Sequence, residues 1–262
     1  PADIDVIVEV GQVPTNPETH DVMIDAMNTS LVNRFSSFLN QQEFSIKTWT
    51  FFVDLPPDRV LPQDCSCSTA IRIIPDSDDG LIECNCRRVA MMTMPDIDNR
   101  LDIIDGRMPR AAAYIGGDDI FRIEGLLDVE SAELLGLGVG DVYPARPHWE
   151  DEHDRVDVFV SGLYERVDLE NPHWRVQNEA FGSRTDTLQF ARFVVPQDTI
   201  LRGLGPYLPN MGTDYAWWLD VNPEGIKAAE TASIQSTMAS TERELKANFD
   251  GFFLRSDLPQ VL

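Results

Sequence analysis

The chain has 262 residues and an ordinary hydrophobic content of 43%, so it can bury a substantial core as one domain with an insertion or as two modest domains. Its formal net charge of −23 argues against binding to nucleic acid or to an anionic membrane surface, because both need clustered Lys and Arg. The sequence has no apolar run of about eighteen residues and no basic start followed by an apolar stretch. It therefore predicts neither a membrane-spanning helix nor a secretory signal.

The first sixty residues predict a strand, a helix and a second strand. Residues 4–10 alternate Ile and Val with charged residues, which is typical of a strand. Pro14 and Pro17 end this strand, and residues 21–40 carry apolar side chains at helical spacing. Residues 44–53 are rich in Thr and aromatic side chains, which favours a strand.

Four cysteines form two Cys-x-Cys pairs, Cys65 with Cys67 and Cys84 with Cys86. In an antiparallel hairpin, facing residues have position numbers with a constant sum, and both Cys65–Cys86 and Cys67–Cys84 satisfy one sum. The implied turn falls at residues 75–78, which are rich in Pro and Asp. We therefore predict two neighbouring cross-strand disulfides, which would place the domain in an oxidising compartment. A zinc site with four thiolates and free buried thiols stay open as alternatives.

Between residues 88 and 135 the sequence predicts a strand, a loop and a short helix. Residues 88–94 read as a strand. Residues 111–119 are small and contain glycine, which indicates a loop. A helix over residues 129–135 would place its leucines against a core.

Glycines end that helix. Gly136, Gly138 and Gly140 follow it directly, and glycine alone enters left-handed backbone conformations at little cost. Asp141 closes the turn into a strand. A second strand follows an acidic loop, and its valines alternate over residues 156–160.

The C-terminal third again mixes strands and helices. Residues 190–195 predict a strand, followed by a short helix over 196–203 and a strand over 215–221. A long helix over residues 222–249 begins with Asn as the cap and Pro in the first turn. Elements of both kinds in this order predict an α+β fold.

Several short motifs of the middle region occur in a characteristic order. Residues 106–109 read Gly-Arg-Met-Pro, residues 135–141 read Leu-Gly-Leu-Gly-Val-Gly-Asp, residues 160–163 read Val-Ser-Gly-Leu, and residues 171–174 read Asn-Pro-His-Trp. This ordered set resembles the extracytoplasmic domain of FtsX-like ABC transporter permeases, also called the MacB-like periplasmic core domain. The resemblance covers roughly residues 101–174. It marks the following residues as structural: Gly106, Arg107, Pro109, Leu135, Gly136, Leu137, Gly140, Asp141, Gly162, Pro172 and Trp174.

The resemblance implies an architecture in two parts. Residues 1–60 and 185–262 would form a membrane-proximal, porter-like α/β subdomain, and residues 61–184 would form an inserted, mostly β, sabre-like subdomain. Domains of this family lie between a first and a second transmembrane helix, so Pro1 and Leu262 should lie close together. The sequence would then be an excised domain whose flanking helices are missing, although a start at Pro1 fits a processed mature protein equally well.

The resemblance also implies a role without catalysis. The chain would be the extracellular or periplasmic domain of a multi-pass cell-membrane permease that couples ATP-driven motion of the transmembrane helices to transport or mechanical work. The implied partners are a cytoplasmic ABC ATPase subunit and a second permease copy, both reached through the transmembrane helices, and an extracytoplasmic partner protein stays open. No catalytic residue, cofactor, metal or nucleic acid is expected. The sequence does not choose a cargo.

Two other functions stay open from the residues themselves. The first is a secreted or surface-attached module that binds glycan or peptide through an exposed aromatic such as Trp149 or Trp174. The second is a metal-dependent hydrolase built on residues 148–154, whose histidines and carboxylates are suitable metal ligands, although a solvated hairpin tip is the simpler interpretation. Trp217 and Trp218 are neighbours in a predicted strand, so they point to opposite faces. We expect both to pack in the core, and one exposed ring that serves a partner or ligand stays open.

Overall fold

The computed structural model describes residues 4–48, 51–53, 73–76, 80–83, 87–111, 113–115, 120–147, 155–169, 174, 189–222, 226, 231–249 and 251–256. Twelve strands of the described chain form one mixed sheet, and two more form a separate hairpin. Helices pack against the large sheet, so the predicted α+β class is confirmed.

The strands are β1 (Ile4–Pro14), β2 (Leu39–Thr48), β3 (Phe51–Val53), β4 (Ile73–Asp76), β5 (Gly80–Glu83), β6 (Arg87–Thr93), β7 (Leu101–Gly106), β8 (Ala113–Ile115), β9 (Phe121–Asp128), β10 (Val142–Pro147), β11 (Val156–Arg166), β12 (Gln189–Val194), β13 (Gly212–Val221) and β14 (Phe252–Ser256). In the large sheet the order is β12-β9-β11-β10-β3-β6-β2-β13-β1-β14, with β7 paired to β11 and β8 to β9. Strand β12 also pairs with β6, which closes the path from β12 to β6 into a ring. Most pairs are antiparallel, but β9–β11 and β6–β12 are parallel.

The helices are α1 (Pro17–Met27), α2 (Asn33–Phe35), α3 (Val129–Leu135), α4 (Gly205–Tyr207) and α5 (Thr231–Asn248). A π-helical turn over Asn28–Val32 joins α1 to α2, and another over Thr199–Leu204 precedes α4. In the parts of the chain that the structure describes, no helix combines the length and the apolar character needed to span a bilayer.

The N-terminal helix starts earlier than the sequence predicts and is followed sooner by a strand. Its cap is Asn16, whose side chain accepts a hydrogen bond from the Thr19 amide at 2.8 Å, and Pro17 occupies the first turn. The helical path ends by Phe38, so β2 begins at Leu39 rather than at residue 44. Residues 39–42 alternate between half-buried and exposed positions, and their mostly polar side chains gave no strand pattern in the sequence.

The sheet has a helical face and a second face. On the helical face, α1 and α5 cover one apolar cluster over β1 and β13, in which Trp217 and Leu245 are buried. A second cluster on the same face lies under α3 and the segment 199–207, around Val158 and Phe193. The second face carries a smaller cluster that includes Met92 and Trp174. Residues from both chain ends thus share one core, and the proposed division into two subdomains stays a prediction.

The first and last described strands are neighbours. On β1 and β14, which run antiparallel, Val6 lies opposite Ser256 and Val10 lies opposite Phe252. The chain therefore enters and leaves the sheet at the same end of adjacent strands. Pro1 and Leu262 lie outside the described residues.

Several predicted elements of the middle region are present, but strands β7 and β9 were not predicted. Helix α3 spans Val129–Leu135 as expected, capped by the Asp128 side chain, and Gly136 takes the left-handed conformation at φ +67°. Strands β6, β10 and β11 also lie where the sequence places them. The predicted loop over residues 111–119 is wrong at Ala113–Ile115, because these residues pair with β9 as the short strand β8.

The hairpin next to the cysteines is present, with a later turn than predicted. Ile73 pairs with Glu83 and Asp76 with Gly80, so Pro75 and Asp76 are strand residues and not turn residues. The constant sum shared by the two cysteine pairs would instead set Ile73 opposite Asp78, so the predicted register is wrong over these residues. Cys65, Cys67, Cys84 and Cys86 lie outside the described residues. Their disulfide pairing stays a prediction.

The C-terminal strands β12 and β13 agree with prediction, and both tryptophans pack as expected: Trp217 is 4% exposed and Trp218 is fully buried. The helix predicted over residues 222–249 is present at Thr231–Asn248. Asn222 and Ile226 are described without helical structure, and residues 223–225 and 227–230 lie outside the described residues. Strand β14 was not predicted. It is five residues long and is defined by its pairing with β1.

Candidate functional site

The motif residues meet where β7 and β11 come into close contact. Gly106 lies opposite Gly162, with φ +77°. A Cβ on Gly106 would lie 2.4 Å from the Ser161 carbonyl oxygen, and a Cβ on Gly162 would lie 2.8 Å from the Arg107 carbonyl oxygen. Only glycine fits at either position, because each hypothetical side chain would meet backbone atoms that cannot move aside.

This close approach lets the chain cross over β11. Strand β7 pairs with one edge of β11, and β9 pairs with the other. After Gly106 the Arg107 amide donates to the Ser161 carbonyl at 2.9 Å, at a bulge in the pairing between β11 and β9. Residues 107–110 then reach Glu124 on β9, two strands away from β7. We call residues 107–110 the strap.

Glu124 fastens the strap. The Arg107 guanidinium donates two hydrogen bonds to the Glu124 carboxylate, Nη1 to Oε2 at 2.6 Å and Nη2 to Oε1 at 2.7 Å. The Arg110 amide donates a third hydrogen bond to Oε2 at 2.8 Å. This geometry is the bidentate fork that arginine forms with carboxylates.

The same contacts fix the charge of the carboxylate. The hydrogen bonds from Arg107 lower the pKa of Glu124 below its ordinary value, while partial burial opposes this effect. Glu124 therefore stays ionised near neutral pH and its oxygens are occupied by the strap. The arrangement holds β7, β9 and β11 together.

The glycine turn after α3 joins the same junction. The Gly140 amide donates to the Val160 carbonyl and the Val160 amide donates to the Asp141 carbonyl, each at 2.9 Å. The Asp141 side chain accepts from the Gly138 amide at 2.7 Å. Strand β10 thus begins where β7 ends, along the same edge of β11.

The remaining motif residues contribute less to the junction of β7, β9 and β11. Leu135 is buried under the helical face, with Leu137 packed against the same cluster. Pro109 lies within the strap and is half-buried. Pro172 lies outside the described residues.

Trp174 does not have the exposure that a binding platform needs. Trp174 is 1% exposed, and its Nε1 donates to the Val167 carbonyl at 2.9 Å. The Arg166 guanidinium lies 5.5 Å from the centroid of the Trp174 ring. The expectation of an exposed aromatic at this position is therefore wrong. Trp149 and the whole of residues 148–154, the alternative metal site, lie outside the described residues. Within the described ranges, no group of three His, Cys, Asp or Glu side chains could hold a metal ion.

Sequence reasoning missed Glu124 as a site residue. The alternation of Phe121, Arg122, Ile123 and Glu124 signals a strand with two polar side chains on one face, but it does not identify the partner of either. It also missed a cleft of about 420 Å³ on the second face of the sheet, where Glu9, Lys47, Arg192, Asp214 and Phe253 converge from five strands.

No protein-family model and no curated protein matches this sequence. Among solved structures, a domain assigned to a permease protein from Porphyromonas gingivalis matches with a TM-score of 0.34 and 12% identity, covering 97% of this chain and 87% of that chain. A TM-score at this level does not establish a shared fold. The resemblance to a permease family therefore rests on the sequence motifs.

Proposed function

We propose that this chain is the extracytoplasmic domain of an FtsX-like ABC transporter permease and that it transmits motion without catalysing a reaction. The observation that carries the proposal is the pairing of β1 with β14, which brings the first and last described strands side by side with Val6 opposite Ser256. A domain inserted between two neighbouring transmembrane helices needs this geometry, because both of its connections must return to one place.

The strap supports the same proposal. Gly106, Arg107 and Gly162 belong to the motifs that suggested the family, and they share one junction in which Arg107 and Glu124 tie β7 to β9 across β11. A domain that transmits the motion of transmembrane helices has to be stiff. Bidentate hydrogen bonds and backbone contacts without intervening side chains supply stiffness at that crossing.

The proposal includes the partners that the family implies. A cytoplasmic ATPase subunit and a second permease copy would associate through the transmembrane helices, and the domain would lie outside the cytoplasm. Its large negative charge of −23 suits an exposed, well-solvated surface.

Purification of the full-length protein from native membranes tests the proposal. We expect the protein to remain with the membrane, its domain to be digested by protease added outside intact cells, and an ATP-hydrolysing subunit to copurify. A variant of the ATPase that cannot hydrolyse ATP is the control, because it should still copurify. Recovery of the protein in the medium, free of membrane and ATPase, would instead support a secreted binding module.

A further inference from the structure

The second face of the sheet contains the cleft of about 420 Å³, which no motif and no part of the proposed function uses. Its floor is formed by Ser45 on β2 and Ala216 on β13, which pair in the sheet. Phe253 on β14 lies at one end, and Arg192 on β12 lies at the other. We call this feature the sheet cleft.

A bulge in β1 shapes one side of the sheet cleft. The pairing of β1 with β13 shifts between Val10 and Val13, and Gln12 in this bulge has φ +61°. The Gln12 amide donates to Asp214 Oδ1 at 3.2 Å, while Lys47 Nζ lies 3.7 Å from Asp214 Oδ2. The Gln12 amide thus positions the Asp214 carboxylate, and the ion pair with Asp214 positions the Lys47 ammonium at the side of the cleft.

Two glycines allow close packing at this side of the sheet cleft. A Cβ on Gly251 would lie 3.0 Å from the Gly11 carbonyl oxygen, and a Cβ on Gly11 would lie 3.3 Å from Asp214 Oδ1. The two glycines thus let the β1 bulge pack closely against Gly251 and Asp214 at this side of the sheet cleft.

One end of the sheet cleft suits a cation. Glu9 on β1 and Phe253 on β14 are register partners, so their side chains are neighbours on one face. Glu9 is exposed, and Phe253 is 54% exposed although it is a large apolar side chain. A carboxylate beside an accessible aromatic ring attracts an ammonium group through both charge and the ring quadrupole.

The other end suits an anion. Lys47 and Arg192 both line it, with Met92 between their strands. Arg192 is 8% exposed, and burial lowers the pKa of its guanidinium to about 10, with the Tyr164 hydroxyl and Asp128 opposing that shift. A buried positive charge that opens onto a cleft favours a negatively charged ligand group there.

The spacing of the two ends sets the length of the ligand. Glu9 and Lys47 lie on β1 and β2, which are separated by β13, so their backbones are about 10 Å apart across the sheet. An extended peptide of three residues spans about the same distance. We propose that the sheet cleft binds a short extended peptide, with its ammonium end at Glu9 and Phe253 and its carboxylate end at Lys47, on the side of the cleft where Arg192 lies. This inference is independent of the proposed function.

Titration of the isolated chain with tri-alanine, followed by NMR and by calorimetry, tests the inference. We expect saturable binding, with the largest amide shifts on β1, β13 and β14. Tri-alanine with an acetylated amine, or with an amidated carboxylate, should each bind about five-fold more weakly, as expected for one partly exposed charge pair. Phosphoethanolamine, a shorter zwitterion such as a lipid headgroup supplies, should bind more weakly than tri-alanine.

Variants assign each end of the peptide. Glu9→Gln should weaken tri-alanine about five-fold and leave the acetylated peptide unchanged, whereas Lys47→Gln should weaken tri-alanine and leave the amidated peptide unchanged. Both side chains are at the surface, so neither change threatens the fold. Glu133→Gln, an exposed residue on α3 at the helical face, is the matched control and should bind like the native chain.

Several results would overturn the inference. These are equal binding of free and doubly capped tri-alanine, equal losses in Glu9→Gln and Glu133→Gln, tighter binding of phosphoethanolamine, and the absence of saturable binding at millimolar peptide. None of these results would bear on the permease proposal, because membrane attachment and ATPase association are measured separately.

Discussion

Gly106 on β7 and Gly162 on β11 face each other so closely that a Cβ on Gly106 would lie 2.7 Å from the Gly162 Cα. The two glycines allow the strap to cross β11 and reach Glu124. The stability of this crossing therefore depends on residues that have no side chains.

Substitution of Gly106 by Ala should be costly. The residue has φ +77°, which costs about 1–2 kcal/mol for a residue with a Cβ, and the new methyl group would overlap the Ser161 carbonyl. We expect Gly106→Ala to lower the free energy of unfolding by about 3 kcal/mol in urea titrations. Gly136→Ala is the control, since Gly136 has φ +67° with nothing within 4 Å of its Cβ position, and it should lose about 1 kcal/mol. Equal losses in the two variants would refute the close crossing.

Removal of the Glu124 charge should loosen the strap. Glu124→Gln keeps the shape but gives up the charge-assisted hydrogen bonds, and we expect a loss of about 1 kcal/mol, because the exposed Arg107 is well screened. Glu165→Gln, an exposed residue on β11, is the control and should change little.

The loss in Glu124→Gln should also depend on pH. The folded state lowers the pKa of Glu124, so its stabilising contribution is complete above the ordinary value of 4.5 and disappears as the pH falls through the folded value. Native chain and variant should therefore become more alike in acid. A difference that stays constant from pH 7 down through that range would contradict the ion pair.

His20 should make the stability depend on pH near neutrality. Its Nδ1 lies 3.1 Å from the Tyr215 hydroxyl and its Nε2 lies 3.1 Å from Gln197 Nε2, and its ring stacks on Tyr215. Burial lowers the pKa of His20 below 6.5, and the nearby Asp21 opposes this shift. The unfolded chain thus takes up the proton first, so stability falls as the pH drops below about 6.5.

His20→Phe keeps the ring stacking but cannot be protonated. We expect it to cost about 1–2 kcal/mol at pH 7.5, through the lost hydrogen bonds, and less at pH 5.5, where the native chain has lost part of its advantage. Urea titrations at both pH values measure this. A cost that grows in acid would mean that the protonated histidine is the stabilising form.

Thiol titration tests the predicted disulfides. After purification without reductant, denatured protein should show no reactive thiol, and after reduction it should show four. Reduction should also lower stability, by roughly 3 kcal/mol for a bridge that closes a loop of this size. Four reactive thiols before reduction, accompanied by released zinc, would favour the thiolate site instead.

The elements that were predicted best have start and stop signals in their own local sequence. Helix α3 begins with an aspartate cap and ends at Gly136, so its limits are local properties and were predicted correctly. Strand β14 has no such signals and exists through its pairing with β1, which is distant in sequence. The start of β2 was missed because the apolar pattern of the preceding helix runs on to Phe38.

Only part of the candidate site could be predicted from the sequence. Glycines at 106 and 162 were selected from their motif, although their reason, the close crossing, depends on the tertiary pairing of β7 with β11. Glu124 and the sheet cleft could not be predicted, since their partners come from strands far apart in the chain.

The most direct test of the proposed role is to cut the connections of the domain in the full-length membrane protein. Protease sites placed just before residue 1 and just after residue 262 allow each connection to be cut alone or both together. We expect the domain to stay on the membrane after either single cut and to be released only by the double cut. Release by one single cut would contradict a domain anchored at both ends.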